Sequence, residues 1–220
     1  YKLSTHLNNG RGVYTFCMCP GGKVVNASSE ENRLCTNGMS EFARDAKNSN
    51  SALLVGINPD DYESDHPLAG MYLQRKLESK AFVAGGENYN APIQRVDDFL
   101  NNRKSTHLGD VKPSIGPNYE FSNLNEILPE YVSTSMAQGI VKMSRMLHGF
   151  DDGDAVLTGV ESRSSSPVRI MRKTDTLESV LIEGLYPCGE GAGYAGGITS
   201  AAMDGLKVGE AIMKKIINFC

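Results

Sequence analysis

The chain has 220 residues, 40% of them hydrophobic and 22% charged, which is enough to bury one good core or two modest ones and excludes a disordered segment. A net charge of −4 gives no global attraction to nucleic acid or anionic lipid, and no stretch has the apolar length that crosses a bilayer. Cysteines at Cys17, Cys19, Cys35, Cys188 and Cys220 are odd in number and lack the dense spacing of a secreted scaffold, so they read as cytosolic thiols and the protein as cytoplasmic.

The chain opens on Tyr1 rather than Met, with neither the basic region nor the apolar run of a secretory signal, and the expectation is either a trimmed chain or a domain cut from a longer gene. Gly12-Val13-Tyr14-Thr15-Phe16-Cys17 is rich in strand formers. Pro20-Gly21-Gly22 reads as a turn, and Lys23-Val24-Val25-Asn26 as the returning strand of a hairpin. Ala52 to Ile57 predicts another strand, stopped at Asn58-Pro59-Asp60. From Pro67 to Ala84 the apolar period is helical, with Gly85-Gly86 as the stop. Ala91 to Val96 alternates as a strand, and the polar run from Asn101 to Asn118 predicts a surface loop. A second helix is expected from Leu124 to Leu147, with Pro129 in its first turn. After Asp151-Asp152-Gly153-Asp154 the composition changes, which places a boundary between a domain of residues 1–154 and one of residues 155–220. Ala155 to Val160 is a short strand candidate there.

The most specific stretch runs from Gly184 to Ala202 and reads as strand, glycine-rich loop and helix. Its glycines let the main chain turn sharply and approach a ligand with no Cβ in the way, and the N–H groups at a helix start attract negative charge. Gly189, Glu190, Gly191, Ala192, Gly193, Gly196, Gly197, Ile198 and Thr199 are the candidate cofactor contacts. Glu190 is the acid that accepts hydrogen bonds from sugar or ribitol hydroxyls. In the following helix Ala201, Gly205 and Gly209 form a bare stripe suited to close packing, flanked by Ile198, Val208, Ile212 and Ile216.

The run Tyr186-Pro187-Cys188-Gly189-Glu190-Gly191-Ala192-Gly193-Tyr194-Ala195-Gly196-Gly197-Ile198 resembles the second FAD-contacting motif of a family of bacterial FAD-dependent dehydrogenases of the two-part, glutathione-reductase-like kind. Phe16 to Gly22, Thr36 to Ser40 and Arg163 to Ile170 resemble the same family in the same order. The resemblance implies an α/β architecture. Residues 1–154 would be an inserted, mixed sheet-and-helix domain on the substrate side, and residues 155–220 the returning half of an incomplete FAD-binding domain. It also implies that the phosphate loop, Gly-x-Gly-x-x-Gly, belongs to a preceding segment of the same chain, because no such fingerprint follows a strand near the N-terminus. FAD would then bind the full-length protein rather than this piece, and the other partner would be a small-molecule substrate or electron donor. In this picture the start of the last helix offers its dipole to the flavin N1 and O2 edge.

Cys17 and Cys19, two apart on an expected strand, would face the same way and present thiols to a flavin or substrate. Burial as ordinary core cysteines is the competing reading, and an i, i+2 disulfide is geometrically strained. Arg163 and Arg169 bracket Ser165-Ser166-Pro167 and suit either an anionic substrate, a reduced flavin or a surface ion pair. His6, His66, His107 and His148 share no spacing, so each reads as a surface or helix-end residue rather than a catalytic base, and no metal site is assigned. The rival functions are a non-catalytic binding or assembly module on a flavoprotein scaffold, and a metal-binding domain built on Cys17, Cys19 and Cys35.

Overall fold

The computed structural model describes residues 2–217, so Tyr1 and Cys220 lie outside the described residues. The chain divides into two compact units, one of residues Tyr1–Asp61 and Gln74–Ser162, the other of Tyr62–Leu73 and Arg163–Cys220. Among the described residues no helix is long and apolar enough to cross a membrane.

The first unit holds two small sheets. In one, β1 (Ser4–His6), β2 (Gly12–Asn26), β3 (Thr36–Ser40) and β4 (Asn48–Val55) are all antiparallel, with β2 at the centre. One edge of β2 takes β4. The other takes β1 opposite Gly12 to Tyr14 and β3 opposite Gly22 to Asn26. The expected hairpin at Pro20-Gly21-Gly22 does not form, because β2 runs straight through it. The turn chemistry is used for bulges instead. Between Phe16 and Cys19, and again between Cys19 and Gly22, three steps on β2 face two on β4. Gly21 sits at φ 51° and takes up the second of these irregularities.

The other sheet places β5 (Ala91–Arg95) between parallel β6 (Tyr119–Phe121) and antiparallel β7 (Val156–Thr158). The helix α1 (Ala69–Ala84) forms where the apolar period predicted it and stops at Gly85, where a Cβ would strike the Asn90 carbonyl. The short helix α2 (Val96–Leu100) follows β5 directly. The single helix expected from Leu124 to Leu147 is broken into α3 (Leu124–Ile127) and α4 (Glu130–Met143). Pro129 is the cause: it holds Leu128 in extended backbone, ψ 147°, and itself becomes the residue that precedes α4. Ala81, Phe82, Ala91, Val96, Phe99, Leu124, Ile127, Ile140 and Val160 make one buried cluster that joins these elements. The expected loop after α2 is irregular, and Ser105 ties it down by donating to Asp98 Oδ2 at 2.7 Å.

The second unit contains α5 (Ile198–Ile217), the start of α1, and otherwise turns. Its only ladder among the described residues is a single bridge between Arg172 and Ser179. Among the described residues the chain is mixed α/β, with two small sheets and five helices, and the expected half of an FAD-binding sheet is not seen there as a strand–helix–strand unit. The predicted strand ending near Cys188 is likewise absent. Local hydrogen bonds hold that segment, with Ser179 donating to the Leu185 carbonyl at 2.7 Å, and Pro187 brings no N–H to a ladder.

Candidate functional site

The glycine-rich loop is held by an ion pair that connects it to α5. Arg172 meets Asp204, in the second turn of α5, through two guanidinium nitrogens at 2.6 and 2.9 Å. Both side chains are nearly buried, at 9% and 13% exposure, so neither has much water to compete for. Asp204 Oδ2 also accepts the Gly189 backbone N–H at 2.9 Å, and the same guanidinium donates to the Pro187 carbonyl at 2.8 Å. These contacts lower the Asp204 pKa to about 2, with the Arg172 hydrogen bond the largest cause.

Tyr194 closes the other side. Its ring centroid lies 3.7 Å from the Arg172 guanidinium carbon, and its hydroxyl accepts the Arg172 backbone N–H at 3.2 Å. Arg169 donates from Nε to the Gly193 carbonyl at 3.0 Å. Within the loop, Gly193 N–H reaches the Glu190 carbonyl at 2.9 Å and Tyr194 N–H the Gly189 carbonyl at 3.0 Å. Gly189 and Gly193 have φ of 71° and 81°. A Cβ on Gly193 would overlap the Val168 carbonyl, so glycine is required there twice over.

Gly191, Gly196, Gly205 and Gly209 are different. A Cβ at any of them would meet nothing within 4 Å, so packing among the described residues does not explain these glycines. Glu190 is exposed, and no hydrogen bond or ion pair engages its side chain among the described residues. The helix α5 begins where expected, but Thr199 is exposed and does not cap it. Ser200 reaches back instead, accepting from Gly197 N–H at 3.2 Å, the return half of a capping box. At its far end Lys215 pairs with Glu178 at 2.7 Å, and Glu178 also accepts Gly184 N–H at 2.8 Å.

The face of α5 that meets its own unit is centred on Val208, 4% exposed. The adjacent arc holds Ile198, Ala202, Leu206, Gly209, Met213 and Ile216, and it is exposed; Ile198 is 91% and Leu206 71% accessible. The expected apolar contact by Ile198 and Ile216 is thus not made within the described residues, whereas that by Val208 is.

A family model described as "FAD-dependent protein, C-terminal domain-like" matches residues 1–164. The chain belongs to this family. An uncharacterized protein of Clostridium beijerinckii is 55% identical over 205 residues, which is 93% of this chain and 38% of the relative. The chain thus spans little more than a third of that relative's length. The matched residues of the FAD-dependent family cover the first unit almost exclusively, and the glycine-rich loop follows after them.

Of the residues singled out in the sequence, the loop and Arg169 come together in the second unit, and Arg163 is an exposed residue at its start. Cys17 and Cys19 belong to the first unit, at the bulge of β2. Cys35 is buried, with Ser162 Oγ at 3.7 Å from its sulfur, and among the described residues no three His, Cys, Asp or Glu side chains gather as a metal site. An open concavity of about 540 Å³ in the first unit, lined by Lys80, Lys104, Ser122, Asn123, Glu126 and Ile127, contains none of the predicted residues. Arg172, Asp204 and Tyr194 were missed. Asp204 did carry a signal, as the one acid in the first three turns of α5.

Proposed function

We propose that this chain is the C-terminal part of an FAD-dependent oxidoreductase, in which the 189–197 loop and the start of α5 form one side of the FAD site and the first unit lies on the substrate side. The observation that carries this reading is the loop itself. Left-handed glycines and the Asp204–Arg172 pair fix it against the start of a 20-residue helix, while Gly191 and Gly196 leave its outer surface bare. That surface fits a cofactor rich in hydroxyls and phosphate. Main-chain N–H groups at the helix start favour negative charge, and the exposed Glu190 carboxylate accepts from hydroxyls such as those of ribitol. Membership in a family of FAD-dependent proteins supports the choice of FAD over another dinucleotide.

The exposed arc of α5 is assigned to the remainder of the longer protein, which on this reading supplies the opening phosphate-binding fingerprint that follows no strand near this chain's N-terminus. The relative's greater length supports this, and so does the pairing of bulky Ile198, Leu206 and Met213 with bare Gly205 and Gly209, a surface shaped for close packing. FAD, once bound, supplies two-electron chemistry. This chain's residues orient it, with Gly189, Gly191, Ala192, Gly193, Gly196, Gly197, Ile198 and Thr199 as the main-chain cradle and Arg169 as the cation beside it.

The test is FAD titration into the apo full-length protein and its Glu190→Ala variant. A lost hydrogen bond to a charged group is worth about 1.5–3 kcal/mol, so affinity should fall by roughly ten- to a hundredfold with the fold unchanged. Equal dissociation constants would remove Glu190 from the site. Visible spectra of the full-length protein before and after candidate reductants test turnover itself; a protein that holds FAD without substrate-dependent bleaching would be a binding module.

A further inference from the structure

The bulge of β2 gathers features that neither the fold nor the FAD reading uses. Cys17 is exposed and sits at φ 47°, a left-handed conformation uncommon for any residue with a side chain. Such a conformation costs on the order of 1 kcal/mol and persists where the surroundings impose it. Cys19 is half-exposed, and its sulfur lies 3.1 Å from the Cys17 carbonyl oxygen, folded back toward the preceding cysteine. Both fall between the stretch of β2 that pairs with β1 and the stretch that pairs with β3. The far side of the bulge is fixed. Asn50, the register partner of Cys19, crosses β2 over Gly22 and donates to the Met39 carbonyl at 3.4 Å.

These features remove the usual objection to a disulfide between residues two apart. On a regular strand their Cα atoms stand about 6.6 Å apart, at the limit of disulfide geometry. Between Phe16 and Cys19 three steps of β2 face two of β4, so the stretch that carries both cysteines is contracted relative to a regular strand. We propose that Cys17 and Cys19 form a redox dithiol that reduces low-molecular-weight disulfides.

The exchange balances as follows. The Cys17 thiolate, the more exposed, attacks one sulfur of R–S–S–R, forms a mixed disulfide and expels RS⁻. The Cys19 thiolate then attacks the Cys17 sulfur, expels the second RS⁻ and closes the Cys17–Cys19 bond. The two protons given up by the cysteines appear on two molecules of RSH. Cys17 and Cys19 are oxidised by two electrons and the small disulfide is reduced by two. Reversal by two equivalents of thiol restores the dithiol. None of this requires bound flavin, so the proposal stands or falls apart from the FAD reading.

Oxidised glutathione is the probe. Reduced full-length protein is incubated with it, quenched with one alkylating reagent, reduced and labelled with a second. Trypsin cleavage after Arg11 and Lys23 gives a peptide, 12–23, that holds only these two cysteines. The expected result is that both take the second label, that the unreduced peptide is lighter than the dithiol by two hydrogens, and that added reduced glutathione reverses the change. Cys19→Ser should accumulate a stable glutathione adduct on Cys17, and Cys17→Ser should slow glutathione release at least about tenfold. Circular dichroism confirms that both variants fold. Two thiols that take only the first label, or a wild-type adduct on Cys17 that Cys19 never resolves, would overturn the proposal.

Discussion

One carboxylate, Asp204, ties both Arg172 and the Gly189 N–H to α5. Its folded pKa of about 2 lies below the unfolded value of 3.8. The stabilisation is therefore complete above about pH 4 and is lost as pH falls through about 2. Allowing for solvent screening of a pair that is not fully enclosed, the effect is on the order of 1 kcal/mol. Urea unfolding at a series of acidic pH values should show this loss in the wild type and not in Asp204→Asn; parallel curves would remove the assignment. The loop glycines separate at the same scale. Gly193→Ala meets both a left-handed backbone and the Val168 carbonyl, and should cost about 1–3 kcal/mol in the same assay. Gly191→Ala has open space and should leave stability nearly unchanged, so a loss of FAD retention by full-length Gly191→Ala would report on the cofactor alone.

At the scale of elements, α5 makes the sharpest prediction because its glycines serve nothing that the described residues contain. In the isolated chain Gly209→Ala should stabilise by about 0.5–1 kcal/mol through helix propensity, whereas in the full-length protein the added methyl should weaken assembly and FAD retention. Stabilisation in both contexts would mean that nothing packs on that arc. Elements whose signals are local were legible in the sequence: α1 from its period and its Gly85 stop, β4, β5 and β7 from short strand-forming runs, and the start of α5 from Gly197. Where one signal admits two outcomes, the reading failed. Pro20-Gly21-Gly22 serves a hairpin turn or a bulge equally well, and β4, distant in sequence, decides the matter by pairing across it. Pro129 was weighed as a first-turn residue of one long helix, and its effect on Leu128 cut that helix instead. The candidate loop was legible from composition, while its anchor was not, because Arg172 and Asp204 are 32 residues apart and only the folded chain joins them.

For the molecule as a whole, the purified 220-residue chain is expected to be folded and colourless, since the proposed FAD site is shared with sequence outside it. Stoichiometric bound FAD in the chain alone would contradict that division. The exposed arc of α5, together with Leu181 at 89% exposure, should also make the chain enhance the fluorescence of an apolar-surface dye far more than the full-length protein does. The contact between Val13 and Gly139 has a consequence for how the protein is made. Val13 is fully buried, and Gly139 of α4 comes so close to it that a Cβ there would lie 2.5 Å from the valine methyl. The central strand of the first sheet therefore emerges from the ribosome long before the helix that covers it. At about 5–20 residues per second the wait is on the order of ten seconds, during which β2 is an apolar strand with an open face. Early-binding chaperones should accordingly crosslink to nascent chains that end before residue 130 and release those in which α4 has cleared the exit tunnel.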